Sequence, residues 1–198
     1  MLQSHFTDEL VEAGCDEAGR GCLAGPVFAA AVIFPKGYRH PVLNDSKQLT
    51  KAQRVQLREE IRRDALAWAV AYVDEEKIDE INILNASFLA IGLAVEKLPL
   101  KPQLLLIDGN RFHTPLEIPF RCIVKGDGKF LSIAAASVLA KTYRDEYMER
   151  LHREFPSYDW IRNKGYPTPK HWEAISLHGI TRYHRRSFRL EKQMKLLF

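Results

Sequence analysis

Three stretches of this chain that read as β-strands each run out on an acidic residue beside glycine or alanine. Residues 10–16 lead into Asp16-Glu17-Ala18, residues 104–107 into Asp108-Gly109, and residues 119–124 into Lys125-Gly126-Asp127-Gly128. A carboxylate at the end of a strand, followed by a turn, projects from one edge of a sheet, where such folds usually assemble their sites. If the three edges converge, Asp16, Glu17, Asp108 and Asp127 share one cleft. Taken singly, each acid has an ordinary alternative as a turn former or helix cap. Asp127-Gly128 in particular suits the start of the helix that follows. Asp16 and Glu17 fit that alternative least, because adjacent acids leaving an apolar strand need something to neutralise them.

The remaining pattern is that of a mixed α/β domain. After Gly25-Pro26, residues 27–34 form a continuous apolar run that reads as a buried strand. Thr50 and Gln53 stand at capping-box spacing and open a helix over 51–64. A strand over 66–73 is followed by helical stretches near 75–82 and 86–98, the second stopped by Pro99. Residues 130–155 read as one long helix punctuated by Pro156, and a further helix runs to about residue 178. The chain has 198 residues, enough for one domain and a small appendage.

Charge is unevenly spread. Residues 141–198 hold 13 Lys/Arg against 7 Asp/Glu, whereas residues 1–140 hold 16 against 18. A basic tail beside an acidic body suits a polyanionic partner, although many basic tails are only solvated surface. Cys15, Cys22 and Cys122 are odd in number and lack ligand-like spacing, which argues against disulfides and structural zinc. The N-terminal MLQSHFTDEL is too polar for a signal peptide, and the apolar run over 26–34 is far too short to span a bilayer. A soluble, cytoplasmic, monomeric protein with no membrane contact is expected.

Crowded carboxylates have chemical consequences. At about 4 Å and an effective dielectric of about 20, each like-charged pair costs roughly 4 kcal/mol before compensation. Protons or divalent cations must relieve that. Hard oxygen ligands suit Mg²⁺ or Mn²⁺, and two such ions activate a water and stabilise the leaving oxygen when a phosphodiester is cut.

The blocks Asp16-Glu17-Ala18-Gly19-Arg20-Gly21 and Leu23-Ala24-Gly25-Pro26-Val27 resemble the opening motif of bacterial ribonuclease HII, a type 2 ribonuclease H. Matching blocks follow in the family's order, over about residues 11–190: Asn44-Asp45-Ser46-Lys47-Gln48-Leu49, Asp108-Gly109, Lys125-Gly126-Asp127, Ala134-Ala-Ala-Ser137 with Ala140-Lys141, Arg144-Asp145, Lys164-Gly165-Tyr166 and His184-Arg185-Arg186-Ser187-Phe188. The resemblance implies a ribonuclease H-like mixed sheet flanked by helices, with an α-rich basic C-terminal part. It divides the chain into a catalytic core, 1–155, and a helical substrate-binding segment, 156–198, packed on it as a single domain. It implies Mg²⁺- or Mn²⁺-dependent hydrolysis 5′ of a ribonucleotide, in RNA/DNA hybrids or in DNA duplexes containing ribonucleotides, leaving 3′-hydroxyl and 5′-phosphate ends. Asp16, Glu17, Asp108 and Asp127 carry over as the metal-site acids.

Gly19, Arg20 and Gly21 match the family's tripeptide that contacts the ribose 2′-hydroxyl, the group that separates RNA from DNA. Glycine suits that task because close backbone approach leaves no room for a Cβ. Tyr166 matches a tyrosine that stacks on the sugar after the ribonucleotide; without the resemblance it reads as an interface tyrosine. Lys47, Lys141, Arg144, Lys164, His184 and Arg185 are candidates for phosphate contacts, which supply affinity without sequence information. Ser137 fits close helix packing, with a phosphate contact as its alternative, and His113, His171 and His178 read as surface or packing residues. Two departures from the family pattern stand out: Cys15 where an aliphatic residue is more usual, and the absence of a longer C-terminal extension. Ribonuclease HIII is the nearest rival, but it carries an N-terminal domain for which the position of Asp16 leaves no room. An integrase- or resolvase-type nuclease also gathers carboxylates on a mixed sheet, but nothing in this chain resembles the motifs of those enzymes in order. A non-catalytic hybrid-binding module is disfavoured by the four acids, which would repel a phosphate backbone.

Overall fold

The run VFAAAVI forms β2 (Val27–Ile33), and every residue of it is buried because both faces of the strand are covered. Around it a computed structural model, which describes residues 2–43 and 49–188, builds a five-stranded mixed sheet. Lys47 and its Asn44–Gln48 block lie outside the described residues, as do residues 189–198. The sheet also contains β1 (Glu12–Ala18), β3 (Ala67–Val73), β4 (Leu104–Asp108) and β5 (Phe120–Ile123), in the order β3-β2-β1-β4-β5. The first three strands pair antiparallel, and β4 and β5 continue parallel to β1. The carboxyl ends of β1 and β4 therefore meet at one edge, because Cys15 pairs with Ile107.

Helices cover both faces. α1 (Lys51–Asp64) starts at the expected capping box, with Thr50 and Gln53 satisfying each other's backbone N–H groups. The two helical stretches expected after β3 are both present, running on from one another as α2 (Glu75–Glu96) and separated where Asn82 adopts φ 67° and ψ 162°. Its side chain accepts from the Leu84 and Asn85 amides and so caps the second half. By length and composition α2 is apolar enough to cross a bilayer. Here Ile78, Ala86, Ala90, Ile91, Ala94 and Val95 pack instead against β-sheet residues Ala13, Cys15, Ala29 and Ala31.

α3 (Leu131–Glu154) crosses the other face. The crossing is so close that a Cβ on Gly14 would stand 2.3 Å from the Ser132 carbonyl carbon, which requires glycine there. Beyond a 3₁₀ turn at Pro156–Tyr158 come α4 (Trp160–Asn163) and α5 (Pro169–His178). The short α4 was not expected from the sequence. Trp160, Trp172, Ile175 and Tyr158 form a cluster that closes onto Leu23, Ala24 and Met148, so the C-terminal helices rest on the turn after β1.

Candidate active site

Neighbouring residues of a strand face opposite sides of the sheet. In β1, Gly14 abuts α3 and Cys15 packs among α2 residues. Asp16 accordingly lies on the α3 face, where it accepts from the Ser137 hydroxyl and from the Glu17 amide at 2.7 Å. Glu17 turns to the other side and pairs with Arg20 at 3.0 Å. β1 runs on through both acids to Ala18 rather than ending at Asp16. Asp108 ends the neighbouring strand, and its Oδ1 accepts from the Gly126 amide at 2.7 Å. That bond holds the Gly126–Gly128 3₁₀ turn against β4, and it brings buried Asp127 to the same edge. The helix-cap alternative for Asp127 does not hold, since the N-cap of α3 is Phe130, with no side-chain cap.

The electrostatics follow from this crowding. Burial first, then the charges of Glu17 and Asp108, push the Asp16 carboxyl well above its ordinary range. Burial also raises Glu17, opposed by Arg20 and reinforced by Asp108. Neither group bonded to Asp16 is a cation, so its charge is left without a full counterpart. Among the described residues, no three His, Cys, Asp or Glu side chains stand together at ligand spacing. Asp16 and Glu17 leave β1 on opposite faces, and Glu17 and Asp108 are drawn to Arg20 and to the Gly126 amide. The donor set is nonetheless all carboxylate oxygen around one under-compensated buried acid, which fits a hard divalent cation rather than a soft one. Ser137, expected mainly as a packing residue, is also a hydrogen-bond donor to this acid.

Beside the acids lies the turn from Gly19 to Gly25. Gly19 has φ +97°, and a Cβ there would stand 2.0 Å from Arg144 Nε. Gly21 differs: its added Cβ would meet only the Tyr166 ring, at 3.9 Å. Arg20 and Gly21 are exposed, and Tyr166, 41% exposed, borders them.

The structure corrects the phosphate-contact expectation for three basic residues. Arg144 is buried and donates to the carbonyls of Pro26, Ala24 and Lys164 at 2.8–3.0 Å. Arg185 is buried and donates to Gly19, Arg20 and Gly25. His184 is also buried, and desolvation with His171 beside it lowers its pKa to about 3, so it is neutral. The two guanidiniums are committed to backbone carbonyls, and the His184 ring to Thr181 and His171. Lys164 is nearly covered, its ammonium held by Glu149 and the Ile161 carbonyl at 2.7 Å. Lys141 stays near the surface, paired with Asp145 at 2.5 Å.

Among the histidines, His113 and His178 are exposed and His171 is buried. Cys15 and Cys22 are buried free thiols, Cys122 is a half-buried one, and burial pushes the Cys15 thiol up.

A mixed sheet in this strand order, helices on both faces and acids at the carboxyl ends of β1 and β4 define a ribonuclease H-type hydrolase, an enzyme class that cuts phosphodiester bonds. The family model for Ribonuclease HII matches residues 13–191, and the chain belongs to the ribonuclease HII family. A ribonuclease HII of Bacteroides thetaiotaomicron is 62% identical over 200 residues, covering 100% of both chains. The crystal structure of ribonuclease H2 from Pyrococcus horikoshii superposes with a TM-score of 0.76 at 26% identity, covering 93% of this chain and 98% of that one. At 19% identity and a TM-score of 0.65, a Bst ribonuclease HIII solved in complex with Mn²⁺ shares the fold, covering 94% of this chain and 71% of that one.

Proposed function

We propose that this enzyme hydrolyses the phosphodiester 5′ of ribonucleotides, both in RNA/DNA hybrids and at single ribonucleotides embedded in duplex DNA, leaving 3′-hydroxyl and 5′-phosphate ends. The observation that carries the reading is Asp16: a buried carboxylate on the face shared with Asp108, raised by burial and by two acidic neighbours, at the mouth of a turn with exposed backbone. Asp16, Glu17, Asp108 and Asp127 would hold Mg²⁺ or Mn²⁺, two ions in the reacting complex. Bound there, the ions supply Lewis-acid activation of water and stabilisation of the leaving 3′ oxygen.

The chain's own groups do the rest. Ser137 and the Glu17 amide fix the orientation of the Asp16 carboxylate, and the Gly126 amide fixes that of Asp108. Gly21 lets a ribose approach the backbone, and the exposed Tyr166 ring beside it offers a stacking face for the next sugar. Residues 156–198 act as a substrate-binding segment beside a catalytic core of residues 1–155, the chain works as a cytoplasmic monomer, and its task is removal of RNA and misincorporated ribonucleotides from DNA.

The test is cleavage of a DNA duplex carrying one ribonucleotide, with all-DNA and all-RNA duplexes as controls, in Mg²⁺, Mn²⁺ or EDTA. A metal-dependent cut just 5′ of the ribonucleotide, absent from the controls, is the expected result. Cutting of long hybrids alone would remove the junction role given to Tyr166, and no cutting by folded, metal-supplied protein would refute the reading.

A further inference from the structure

The trans peptide plane links two facts about the Gly19–Gly25 turn. In such a plane the C=O of one residue and the N–H of the next point in opposite directions. The Gly19 carbonyl accepts from Arg185 Nη2 at 2.8 Å and the Arg20 carbonyl from Nη1 at 2.9 Å. Both carbonyls thus face one buried guanidinium. The N–H groups of Arg20 and Gly21, which share those planes, must therefore face the opposite side. Both residues are exposed, and a Cβ on Gly21 would meet nothing nearer than the Tyr166 ring. Two successive N–H groups aimed to one side are a recognised way for backbone to hold an oxygen ligand.

We infer that Arg185 is a specificity-determining positioning residue, whose guanidinium turns the Gly19 and Arg20 carbonyls inward and so presents the Arg20 and Gly21 N–H groups to the ribonucleotide. The inference rests on the proposed reading that this turn meets the ribose.

The rest of the turn is built to keep this arrangement. Arg185 Nε and Nη2 also hold the Gly25 carbonyl, at 2.9 and 2.6 Å, so one planar fork joins both ends of the turn. The backbone around it is clasped as well. The Arg185 amide donates to the Leu23 carbonyl at 2.8 Å, the Gly25 amide to Tyr183 at 2.9 Å, and the Leu23 amide to Gly165 at 2.7 Å. Arg144 braces the same turn from the α3 side through Ala24 and Pro26. A lysine cannot replace Arg185, because a single ammonium lacks the rigid fork that spans three carbonyls. Burial lowers the Arg185 pKa to about 10, which leaves it charged at neutral pH.

The experiment compares wild type with Arg185→Lys, each checked by thermal melting. Affinity is measured in EDTA for a DNA duplex with one ribonucleotide and for the same duplex without it, and turnover is measured in Mg²⁺. For folded Arg185→Lys, the ratio of the two affinities is expected to fall toward one, and kcat on the ribonucleotide substrate to fall about 100-fold with little change in affinity for all-DNA duplex. A merely structural loss would lower the active fraction and leave the affinity ratio per folded molecule unchanged, which would overturn the inference. A wild type that does not discriminate the two duplexes overturns the reading beneath it instead.

If Arg185→Lys does not fold, the wild-type amide resonances decide. Shifts of the Arg20 and Gly21 amides with the ribonucleotide duplex, and not with the all-DNA duplex, support the assignment. Equal or absent shifts overturn it.

Discussion

Asp16 and Asp108 lie on the same face of adjacent parallel strands, and each owes its orientation to one donor from elsewhere in the chain, Ser137 or Gly126. Asp16→Asn and Asp108→Asn keep size and hydrogen-bonding capacity but remove charge. Each is expected to lower cleavage on the order of 10⁴-fold while thermal melting and duplex binding stay near wild type. Wild-type turnover by either variant would remove these acids from the site. The two glycines of the turn separate folding from recognition. Gly19→Ala meets both a positive φ and the Arg144 side chain, so a loss of about 1–3 kcal/mol in denaturant unfolding is expected. Gly21→Ala has room and no positive φ, so stability should move by less than about 0.5 kcal/mol. Its affinity for a ribonucleotide-containing duplex should nevertheless fall, because in the proposed reading the added methyl stands where the sugar would approach.

At the scale of elements, the break in α2 is the feature with an energetic consequence. Asn82 tolerates φ 67° better than other non-glycine residues, and it caps the helix that restarts after it. Asn82→Ala forfeits both and is expected to cost about 1–3 kcal/mol. A melt unchanged by that substitution would mean that packing against the sheet alone sets the break. The two helical stretches expected from the sequence are thus present, and they meet end to end at Asn82. Asp79, between the N-cap and the break, accepts from the Arg186 and Ser187 amides at 2.9 Å and so ties α2 to the segment that carries Arg185.

At the scale of the whole molecule, the C-terminal helices and the turn after β1 share a buried polar seam with its own pH signature. His171 Nδ1 donates to the Tyr166 carbonyl at 2.9 Å, so its Nε2 is the acceptor, and it takes the Trp160 N–H at 3.0 Å. His184 Nδ1 accepts from the Thr181 amide at 2.9 Å, which leaves its Nε2–H to donate to His171 at 3.2 Å. Both imidazoles must therefore be neutral. With a folded pKa of about 3 against 6.5 when unfolded, His184 stabilises the fold above pH 6.5, and that contribution fades as pH falls toward 3. Glu75 has the opposite sign. Burial raises it from 4.5 to about 7, partly offset by Arg185 and Arg144, so its stabilising share is full below pH 4.5 and is lost as pH rises through 7. The stability advantage of wild type over His184→Gln should shrink by roughly 2–3 kcal/mol between pH 7 and 4, and wild type should gain on Glu75→Gln over pH 7 to 4.5. Denaturant titrations at each pH read both trends, and parallel curves would refute the buried-neutral assignment.

What the sequence determined is what depends on near neighbours along the chain. The Thr50 capping box, the strand-end acids and the Gly19-Arg20-Gly21 turn are local signals, and their chemistry is written in residue type and spacing. The family resemblance, carried by blocks along nearly the whole chain, made the fold legible as well. The tertiary structure decided which basic residues stay at the surface and which are buried as internal struts. Arg144 and Arg185 read like any other basic residue because their acceptors are remote: Pro26 lies 118 residues from Arg144, and Gly19 lies 166 from Arg185. It also decided that Asp16 and Glu17, adjacent in sequence, leave opposite faces of one strand, while Asp16 and Asp108, far apart in sequence, share a face. Pleat, register and burial set those relations, and they exist only once β1, β4 and the C-terminal segment have come together.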